Sequence, residues 1–457
     1  MKNFVRKKVI IKHPLFPEFE TNEWFLITRD GNAFIAKSLI NNSSELSQGQ
    51  FTDQHHYRAM IMHHNMETDL NYLDPKSPDA YKWLIRTAYP QFRYERTYGD
   101  IVGRYLMMFD LPEAEEVNEM CQELLGLTFN EIVTIGLCSF GQISDNRCMS
   151  VSALVNHTIS YDWIKRCLVK EKVDRFVELY STTPSDFRVA AREWKAKNTI
   201  LPLQKYEFNP LWSTPLIRFS LVGDMKKRLI APSVPDLVYA SCEGVYFKAM
   251  DASRGAGKQN EFSNAFGKVF EHYVLKLLDL TGIKYQPGDQ NEKKLDALVE
   301  GKMRNVHIEC KKNIMSNEAR VCAGDALERY IERLAIENIY GQLHKKREPD
   351  SINLLVCMDD LFFFDERVKP VIKEKLKEQD DYDPSFKFHI IGITDLEVIM
   401  TVMKRKKVTL EEIFTAKEEE AYYQDAGIFA TEKFECKVTE PEYLRKRYCD
   451  FTDSWKK

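Results

Sequence analysis

Two carboxylates and a lysine are spaced so that a β-hairpin would bring their side chains together. The segments 294–300 and 305–311 alternate apolar with polar residues, and a four-residue loop joins them. In this register the residue numbers of each pair of partners sum to 605, so Asp296 lies directly opposite Glu309. Cross-strand partners have Cβ atoms about 4.5–5.5 Å apart. Lys311 projects from the same face as Glu309, about 6.5 Å further along the strand.

We expect these carboxylates to bind a divalent metal ion. Two like charges at this distance repel each other and destabilise a hairpin unless something neutralises them. Carboxylate oxygens suit Mg2+, and Mn2+ accepts the same ligands. Beside such an ion, the ammonium of Lys311 could orient or deprotonate a water molecule, or stabilise charge that develops on phosphorus. The alternative is an ordinary hairpin with a solvated face, on which Lys294 and Lys311 offset Asp296 and Glu309.

A helix and an apolar strand face are predicted to hold this group in place. A helix is predicted over residues 261–281, because apolar residues recur there at helical spacing and Gly282 suits its end. Glu271 lies on the flank of the apolar stripe of this helix, between core and water. The second face of the hairpin must pack on a core because all of its residues are apolar. They are Leu295, Ala297, Val299, Val306, Ile308 and Cys310.

Asp296, the sequence Glu309-Cys310-Lys311 and an upstream helix that contains Glu271 resemble the active-site pattern of the PD-(D/E)XK nuclease superfamily. The resemblance covers residues 261–403, about a third of the chain. It implies a restriction-endonuclease-like domain of the α+β or α/β class, with a central mixed sheet flanked by helices. The implied order is helix, three-strand meander, helix and strand. The predicted elements follow it, with a strand near 283–286, helix at 318–346, strand at 352–358, helix at 365–379 and strand at 387–393.

The resemblance also implies a role for each residue of the pattern. Asp296 and Glu309 are implied metal ligands, and Lys311 is the implied catalytic lysine that assists the attacking water. The backbone carbonyl of Cys310 can also coordinate the ion. Glu271 resembles a helix acid that adds a metal ligand in some members, so it is included among the catalytic and metal-binding candidates.

Three further residues are weaker candidates for contacts with the substrate: Lys294, Lys312 and Gln342. Gln342 lies in the helical stretch where one branch of the superfamily carries a QxxxY motif. That motif is absent here, so the chain is not assigned to the branch. Leu295 is a second departure, because it stands where the superfamily's name has proline.

The totals for the whole chain exclude several classes of protein. Its 457 residues are 44% hydrophobic and 29% charged, which excludes a disordered, collagen-like or small disulfide-stapled chain. A net charge of -4 excludes a polybasic protein that coats nucleic acid. Residues 254–347 nevertheless carry 17 Lys and Arg against 13 Asp and Glu. Lys345, Lys346 and Arg347 are among the cations there that can meet phosphates, although solvated lysines are an equally good interpretation.

The sequence favours a cytoplasmic protein with no membrane segment. Its ten cysteines contain no CxxC pair, which is typical of reduced, buried thiols. The basic start, residues 1–12, is not followed by the apolar stretch of a secretion signal. No run of about 18 apolar residues occurs, so no membrane span is predicted.

The chain is interpreted as three parts: residues 1–250, 251–403 and 404–457. The first part is predicted to be largely helical, with helices around 110–127 and 160–180. Residues 251–260 have the composition of a linker. The C-terminal extension contains two charged runs, 404–407 and 417–420, which are typical of solvated surface.

A second resemblance spans the boundary between the first two parts. The segments 210–219, 228–251 and 262–274 resemble large bacterial proteins of uncharacterised or phage-defence type, in which a similar region precedes a nuclease-like domain. The resemblance implies that the N-terminal part is a dedicated partner of the nuclease-like part, which senses or holds the substrate. The expected protein partners are a second copy of the chain or a component of a defence system.

The sequence therefore predicts a Mg2+-dependent endonuclease that hydrolyses phosphodiester bonds of DNA or RNA in bacterial antiviral defence. One alternative is a catalytically silent subunit that holds nucleic acid or a partner protein. Another is a structural subunit of a larger complex that docks through its N-terminal part. Cleavage of nucleic acid, binding without turnover, and co-purification of partners respectively distinguish the three.

Overall fold

The computed structural model of this protein has an α+β fold that is mostly helical, with two mixed β-sheets. The structure describes residues 8–13, 16–22, 40, 81–82, 85, 98–146, 148–158, 161–198, 210–218, 228–288, 295–312, 314–320, 322–348, 350–361, 364–420 and 425–455. The chain divides into two compact units. The first comprises Met1–Val102, Glu119–Gly257 and Asp450–Lys457, and the second comprises Gly103–Asn118 and Lys258–Cys449.

The first unit contains a two-stranded hairpin and a small mixed sheet among its helices. Its strands are β1 (Lys8–His13), β2 (Phe16–Asn22), β3 (Met149–Ser150), β4 (Ser181–Thr182), β5 (Leu216–Arg218) and β6 (Arg228–Ile230). Strands β1 and β2 pair with each other, and the four-stranded sheet has the order β3-β6-β5-β4.

The helices up to residue 255 follow the predicted pattern. They are α1 (Tyr98–Phe109), α2 (Glu115–Leu125), α3 (Phe129–Asn146), α4 (Val151–Val155), α5 (Asp162–Cys167), α6 (Lys170–Tyr180), α7 (Pro184–Asn198), α8 (Val234–Ala240) and α9 (Glu243–Gly255). Residues of α1 and α2 are divided between the two units. The helical stretches predicted around 110–127 and 160–180 are confirmed as α2 and as the pair α5 and α6.

The second unit alternates helices with the strands of a five-stranded sheet. It contains α10 (Gln259–Thr281), β7 (Tyr285–Pro287), β8 (Ala297–Val299), β9 (Val306–Lys311), α11 (Asn317–Arg320), α12 (Ala326–Arg333), β10 (Ile352–Cys357), α13 (Lys369–Lys377), β11 (His389–Gly392), α14 (Ile393–Lys406), α15 (Leu410–Glu419), α16 (Ala426–Lys433) and most of α17 (Glu442–Ser454), whose residues after Cys449 belong to the first unit. The unit also contains two π-helical segments. Leu334–His344 directly follows α12, and Phe364–Val368 directly precedes α13. Gly282 ends α10 with a left-handed φ of 73°, as its position in the sequence predicts.

The five-stranded sheet confirms the predicted hairpin register. Its strand order is β11-β10-β9-β8-β7, antiparallel from β7 to β9 and parallel from β9 to β11. Strands β8 and β9 pair in the register whose residue numbers sum to 605, with the partners Ala297 and Ile308, Leu298 and His307, and Val299 and Val306. The predicted apolar face is buried at all six positions, because α10 packs against β9 on that side.

The predicted linker, residues 251–260, contains the boundary between the two units, which falls after Gly257. It is mostly helical, because α9 continues to Gly255 and α10 begins at Gln259. Ser253 is fully buried, which keeps the last turn of α9 in place. Gly257, with a φ of 72°, lies in the short turn between the two helices, where a left-handed backbone favours glycine.

Helix α15 holds the loop of the β8–β9 hairpin. The carboxylate of Glu411 accepts hydrogen bonds from the backbone N–H groups of residues 302, 303 and 304, at 2.7, 2.9 and 2.8 Å. Arg304 in the same loop donates two hydrogen bonds to Glu418, at 2.8 and 3.1 Å. A Cβ atom on Gly301 would collide with the backbone oxygen of Arg304 and would lie 2.7 Å from Glu411 Oε2, so the loop requires glycine at this position.

The interpretation of residues 417–420 as solvated surface is therefore wrong for its first two members. Lys417 is buried, and its Nζ lies 3.0 Å from Asp365 Oδ2. Glu418 is enclosed by Arg304 and by Lys387, whose Nζ lies 3.2 Å from its carboxylate. A charged run on a helix looks the same in sequence whether its partners are water or distant side chains. The run 404–407 is exposed, as predicted.

His389 makes the stability of the second unit dependent on pH. Burial, together with the positive charge of Lys369, lowers the pKa of His389 to about 4. In the unfolded chain the pKa of histidine is about 6.5, so acidification between these values protonates the unfolded chain before the folded protein. We expect the free energy of unfolding to fall as the pH decreases from about 6.5 to about 4, by at most about 3 kcal/mol from this residue.

Urea unfolding of the wild type and of His389→Gln between pH 7 and pH 4.5 tests this expectation. The variant lacks the titrating group and is expected to lose less stability over the same window. Glu418, whose pKa is lowered partly by His389 itself, loses its stabilising effect mainly below this window, because glutamate in the unfolded chain has a pKa of about 4.3. Equal losses in the two proteins would assign the pH dependence to other groups.

No single described helix is long and apolar enough to span a membrane. One bent pair, Pro112–Leu125 with Phe129–Ser144 at an angle of 64°, meets the criteria of length and composition when the two helices are taken together.

Candidate active site

Glu309 is the most buried carboxylate of the candidate site. It lies in β9, the central strand of the five-stranded sheet, and only 2% of it is exposed. Its Oε1 accepts a hydrogen bond from Lys311 Nζ at 2.5 Å. Its Oε2 has no hydrogen-bond partner among the described residues, and Lys346 Nζ lies 3.8 Å away. A buried oxygen without a partner is rare in proteins, and an ion or ligand that binds there is one explanation.

Asp296 lies directly before β8 and at the level of Glu309. Continued by one residue, the observed register of β8 and β9 places Asp296 opposite Glu309, as predicted. Asp296 Oδ2 accepts a hydrogen bond from the backbone N–H of Cys310 at 2.6 Å, which fixes the carboxylate at this position. Burial raises the pKa of Glu309, and the negative charge of Asp296 raises it further. The two carboxylates are therefore close enough to repel each other.

Glu271 brings a third carboxylate to this group from α10. Burial raises its pKa, and the charges of Asp296 and Glu309 contribute in the same direction. The sequence predicts that Glu271 lies at the border between core and water, and the structure confirms that it is half-buried. Helix α10 therefore supports the strands with its apolar face and directs one acid towards them.

Lys311 carries its positive charge into the same group. Burial lowers its pKa, but the carboxylates of Glu309 and Asp296 outweigh that effect, and the net pKa of Lys311 is raised. Lys311 is therefore an ammonium group at neutral pH. This protonation state suits the stabilisation of negative charge better than the removal of a proton from water.

The oxygen donors fit a Mg2+ or Mn2+ ion that also binds water and substrate. Among the residues that the structure describes, no group of three or more His, Cys, Asp or Glu side chains is arranged to hold a metal ion. Magnesium, however, is usually bound through one or two carboxylates, with water and substrate phosphates as its other ligands. Asp296 Oδ1 and Glu309 Oε2 accept no hydrogen bond from described residues, so each carboxylate has one oxygen available.

Cys310 and Lys312 are also predicted site residues, but neither side chain is suited to binding the metal ion. Burial raises the pKa of the Cys310 thiol well above its ordinary value, and the neighbouring carboxylates add to the effect, so the thiol itself is a poor metal ligand. Lys312 points away from the carboxylates, because its ammonium donates to the carbonyl and hydroxyl oxygens of Ser263 on α10. Burial and the charge of Arg333 lower the pKa of Lys312 to about 8.

Of the last two predicted residues, Gln342 and Lys294, the structure describes only Gln342. Gln342 is half-buried in the π-helical segment Leu334–His344, four residues before Lys346. Lys294 lies outside the described residues. Of the basic run at 345–347, it is Lys346 that the structure brings to Glu309. The sequence names this lysine among several cations but cannot select it, because its direction depends on how the preceding helix winds.

The chain matches no known protein family, no curated protein and no solved structure. Its function is therefore inferred from the residues of the site and from the order of the elements that hold them.

Proposed function

We propose that this protein is a Mg2+-dependent nuclease of the PD-(D/E)XK type, which hydrolyses phosphodiester bonds of DNA or RNA. The observation that carries the proposal is the placement of Asp296, directly before β8, beside Glu309 of β9, with Lys311 bonded to Glu309 and one buried oxygen of Glu309 without a partner among the described residues. A buried cluster of carboxylates costs stability, so its presence favours a functional role.

The arrangement of the second unit supports the same proposal. Helix α10 is followed by the antiparallel meander β7–β9, then by α12 with its π-helical extension, and then by the parallel strand β10. This is the order that the superfamily resemblance implies. The first unit is proposed to recognise or hold the target, and bacterial antiviral defence is proposed as the setting, on the resemblance of residues 210–274 alone.

Each residue of the site has a proposed contribution. Asp296 and Glu309 would hold the ion through the oxygens that face away from Cys310 and Lys311. When bound, the ion supplies positive charge that offsets the carboxylates and lowers the pKa of a bound water. Lys311, protonated and fixed by Glu309, stabilises negative charge on the phosphate oxygens. Glu271 can accept a hydrogen bond from water at the edge of the site, and its raised pKa suits it to hold a proton.

A second candidate function is the binding of nucleic acid or a partner protein without catalysis. It is favoured by one observation: protein donors already occupy one oxygen each of Asp296 and Glu309, and no three-residue metal cluster is preformed among the described residues. Binding that does not depend on metal, with no turnover of any substrate, would select this function.

Incubation of the full chain with panels of single- and double-stranded DNA and RNA tests the nuclease proposal. We expect cleavage with Mg2+ or Mn2+, none with EDTA, and recovery when the metal is restored. We also expect either ion to raise the melting temperature in the absence of nucleic acid, because a ligand that binds only the folded state stabilises it. Cleavage that persists in EDTA, or the absence of both cleavage and metal-induced stabilisation, would contradict the proposal.

A further inference from the structure

Two lysines approach Glu309, one at each carboxylate oxygen. Lys311 Nζ lies 2.5 Å from Oε1, and Lys346 Nζ lies 3.8 Å from Oε2. The longer distance is beyond a hydrogen bond, so the charge of Lys346 faces Glu309 without satisfying Oε2. The side chains of Lys311 and Lys346 are 23% and 26% exposed, so both ammonium groups can be reached from solvent beside a buried carboxylate.

The position of Lys346 depends on an unusual helix. It follows an 11-residue π-helical segment, Leu334–His344, that continues α12. π-Helical turns are rare, occur mostly as single-turn bulges, and are frequently found at functional sites. Because a π-helix turns the chain less per residue than an α-helix, it changes the direction in which the residues after it project. Lys346, two residues after this segment, lies with its Nζ 3.8 Å from Glu309 Oε2.

The charges of the group balance when a metal ion and a phosphodiester are both present. In their ionised forms, Glu271, Asp296 and Glu309 exceed Lys311 and Lys346 by one negative charge. A divalent cation and a singly charged phosphodiester together add one positive charge, and the complex becomes neutral. Without Lys346 the same complex would retain a negative charge in a largely buried position, which is unfavourable.

We propose that Lys346 is a substrate-binding residue whose ammonium holds a non-bridging oxygen of the phosphodiester beside Glu309. This inference rests on the proposed nuclease function and adds a contact to it. Lysine binds phosphate as a point charge, which suits an ammonium that lies beside a carboxylate without donating a hydrogen bond to it. The alternative is that Lys346 only neutralises Glu309, in which case its removal would change stability and leave the affinity for nucleic acid unchanged.

Fluorescence anisotropy with labelled single- and double-stranded DNA and RNA of about 20 nucleotides, with Ca2+ in place of Mg2+, measures binding apart from cleavage. We expect Lys346→Met to weaken binding about fivefold to tenfold near 0.1 M salt, and to make the slope of log K against log salt shallower by about 0.7 to 0.9. Lys346→Arg is expected to recover most of the affinity. The matched control is Lys345→Met, which removes an equal charge from an exposed lysine whose Nζ lies 4.8 Å from the ring centre of Tyr340.

Lys345→Met is expected to stay within about twofold of the wild type in affinity. Equal losses in the two methionine variants would show only a general effect of positive charge and would overturn the inference. If Lys346→Met changed the melting temperature but left the affinity and the salt slope unchanged, Lys346 would contribute only to stability. That result would also overturn the inference. Lys346-dependent binding by a wild type that cleaves nothing with Mg2+ would overturn the nuclease proposal and leave the phosphate contact supported. A wild type that neither binds nor cleaves would overturn both.

Discussion

Asp296→Asn and Glu309→Gln are each expected to lower the rate of Mg2+-dependent cleavage by about a thousandfold or more, because each removes a charge that the metal ion requires. The asparagine variant is the sharper test. Asp296 Oδ2 accepts the backbone N–H of Cys310, and the amide oxygen of asparagine can accept the same bond. The substitution therefore removes the charge and retains the local structure.

The same substitution is expected to leave the protein about as stable as the wild type. Asp296 raises the pKa values of both Glu309 and Glu271, which shows that the three carboxylates repel one another. Removal of one charge relieves that repulsion but also loses the attraction of Asp296 for Lys311, and the free energy of unfolding is expected to change by less than about 1 kcal/mol. Rates come from time courses with a labelled substrate, and stability comes from urea unfolding of the same preparations.

Glu300→Gln is the matched control for these variants. Glu300 is an exposed carboxylate at the end of β8, and its Oε1 accepts a hydrogen bond from Gln286 Nε2 at 2.7 Å. This variant is expected to cleave at the wild-type rate. If a double variant with Asp296→Asn and Glu309→Gln kept the wild-type rate, the site would have to be sought elsewhere. A large loss of stability in Asp296→Asn would mean that its inactivity reports on folding.

Arg104→Met is expected to lower the free energy of unfolding by about 3–5 kcal/mol, the largest effect on stability that we predict. Arg104 and Glu397 are 5% and 1% exposed, and the guanidinium donates two hydrogen bonds to the carboxylate at 2.7 and 2.6 Å. Tyr273 of α10 also donates to Glu397 Oε1 at 2.7 Å. Removal of the arginine leaves a buried carboxylate with its principal charge partner gone.

A surface pair within the same unit provides the control. Arg447 also donates to a carboxylate with two nitrogens, including Nη2 to Asp110 Oδ1 at 2.8 Å, but the side chain of Asp110 is 45% exposed. Arg447→Met is expected to cost less than about 1 kcal/mol, because exposed ion pairs contribute little. The double variant Arg104→Met with Glu397→Gln is expected to recover part of the lost stability, because it no longer buries the unpaired carboxylate charge of Glu397. Similar small losses in Arg104→Met and Arg447→Met would contradict the expectation.

The parts of the site that depend on local pattern could be predicted from the sequence. The alternation of apolar and polar residues fixes which face of the hairpin is buried, and a short loop fixes its register. These two facts predict that Asp296 lies opposite Glu309, and the observed strand pairing confirms that register. The helix that carries Glu271 was also predictable, because its apolar stripe extends over five turns and ends at a glycine.

The parts that depend on distant pairing could not be predicted. Arg104 and Glu397 are 293 residues apart, and nothing in either neighbourhood indicates that they meet. Lys417 lies in a charged run that looks solvated, yet its partner Asp365 is buried with it. Lys346 lies 3.8 Å from Glu309 directly beyond a π-helical segment, and no pattern of apolar residues in this sequence indicates that winding.

The hydrogen bonds between α15 and the hairpin loop limit where a recombinant fragment of the second unit can end. A fragment that ended at residue 403, where the superfamily resemblance ends, would remove Glu411 and Glu418. Three backbone N–H groups of the loop would lose their acceptor, and Arg304 would lose its carboxylate partner. Any recombinant fragment intended to isolate this unit should therefore extend beyond α15.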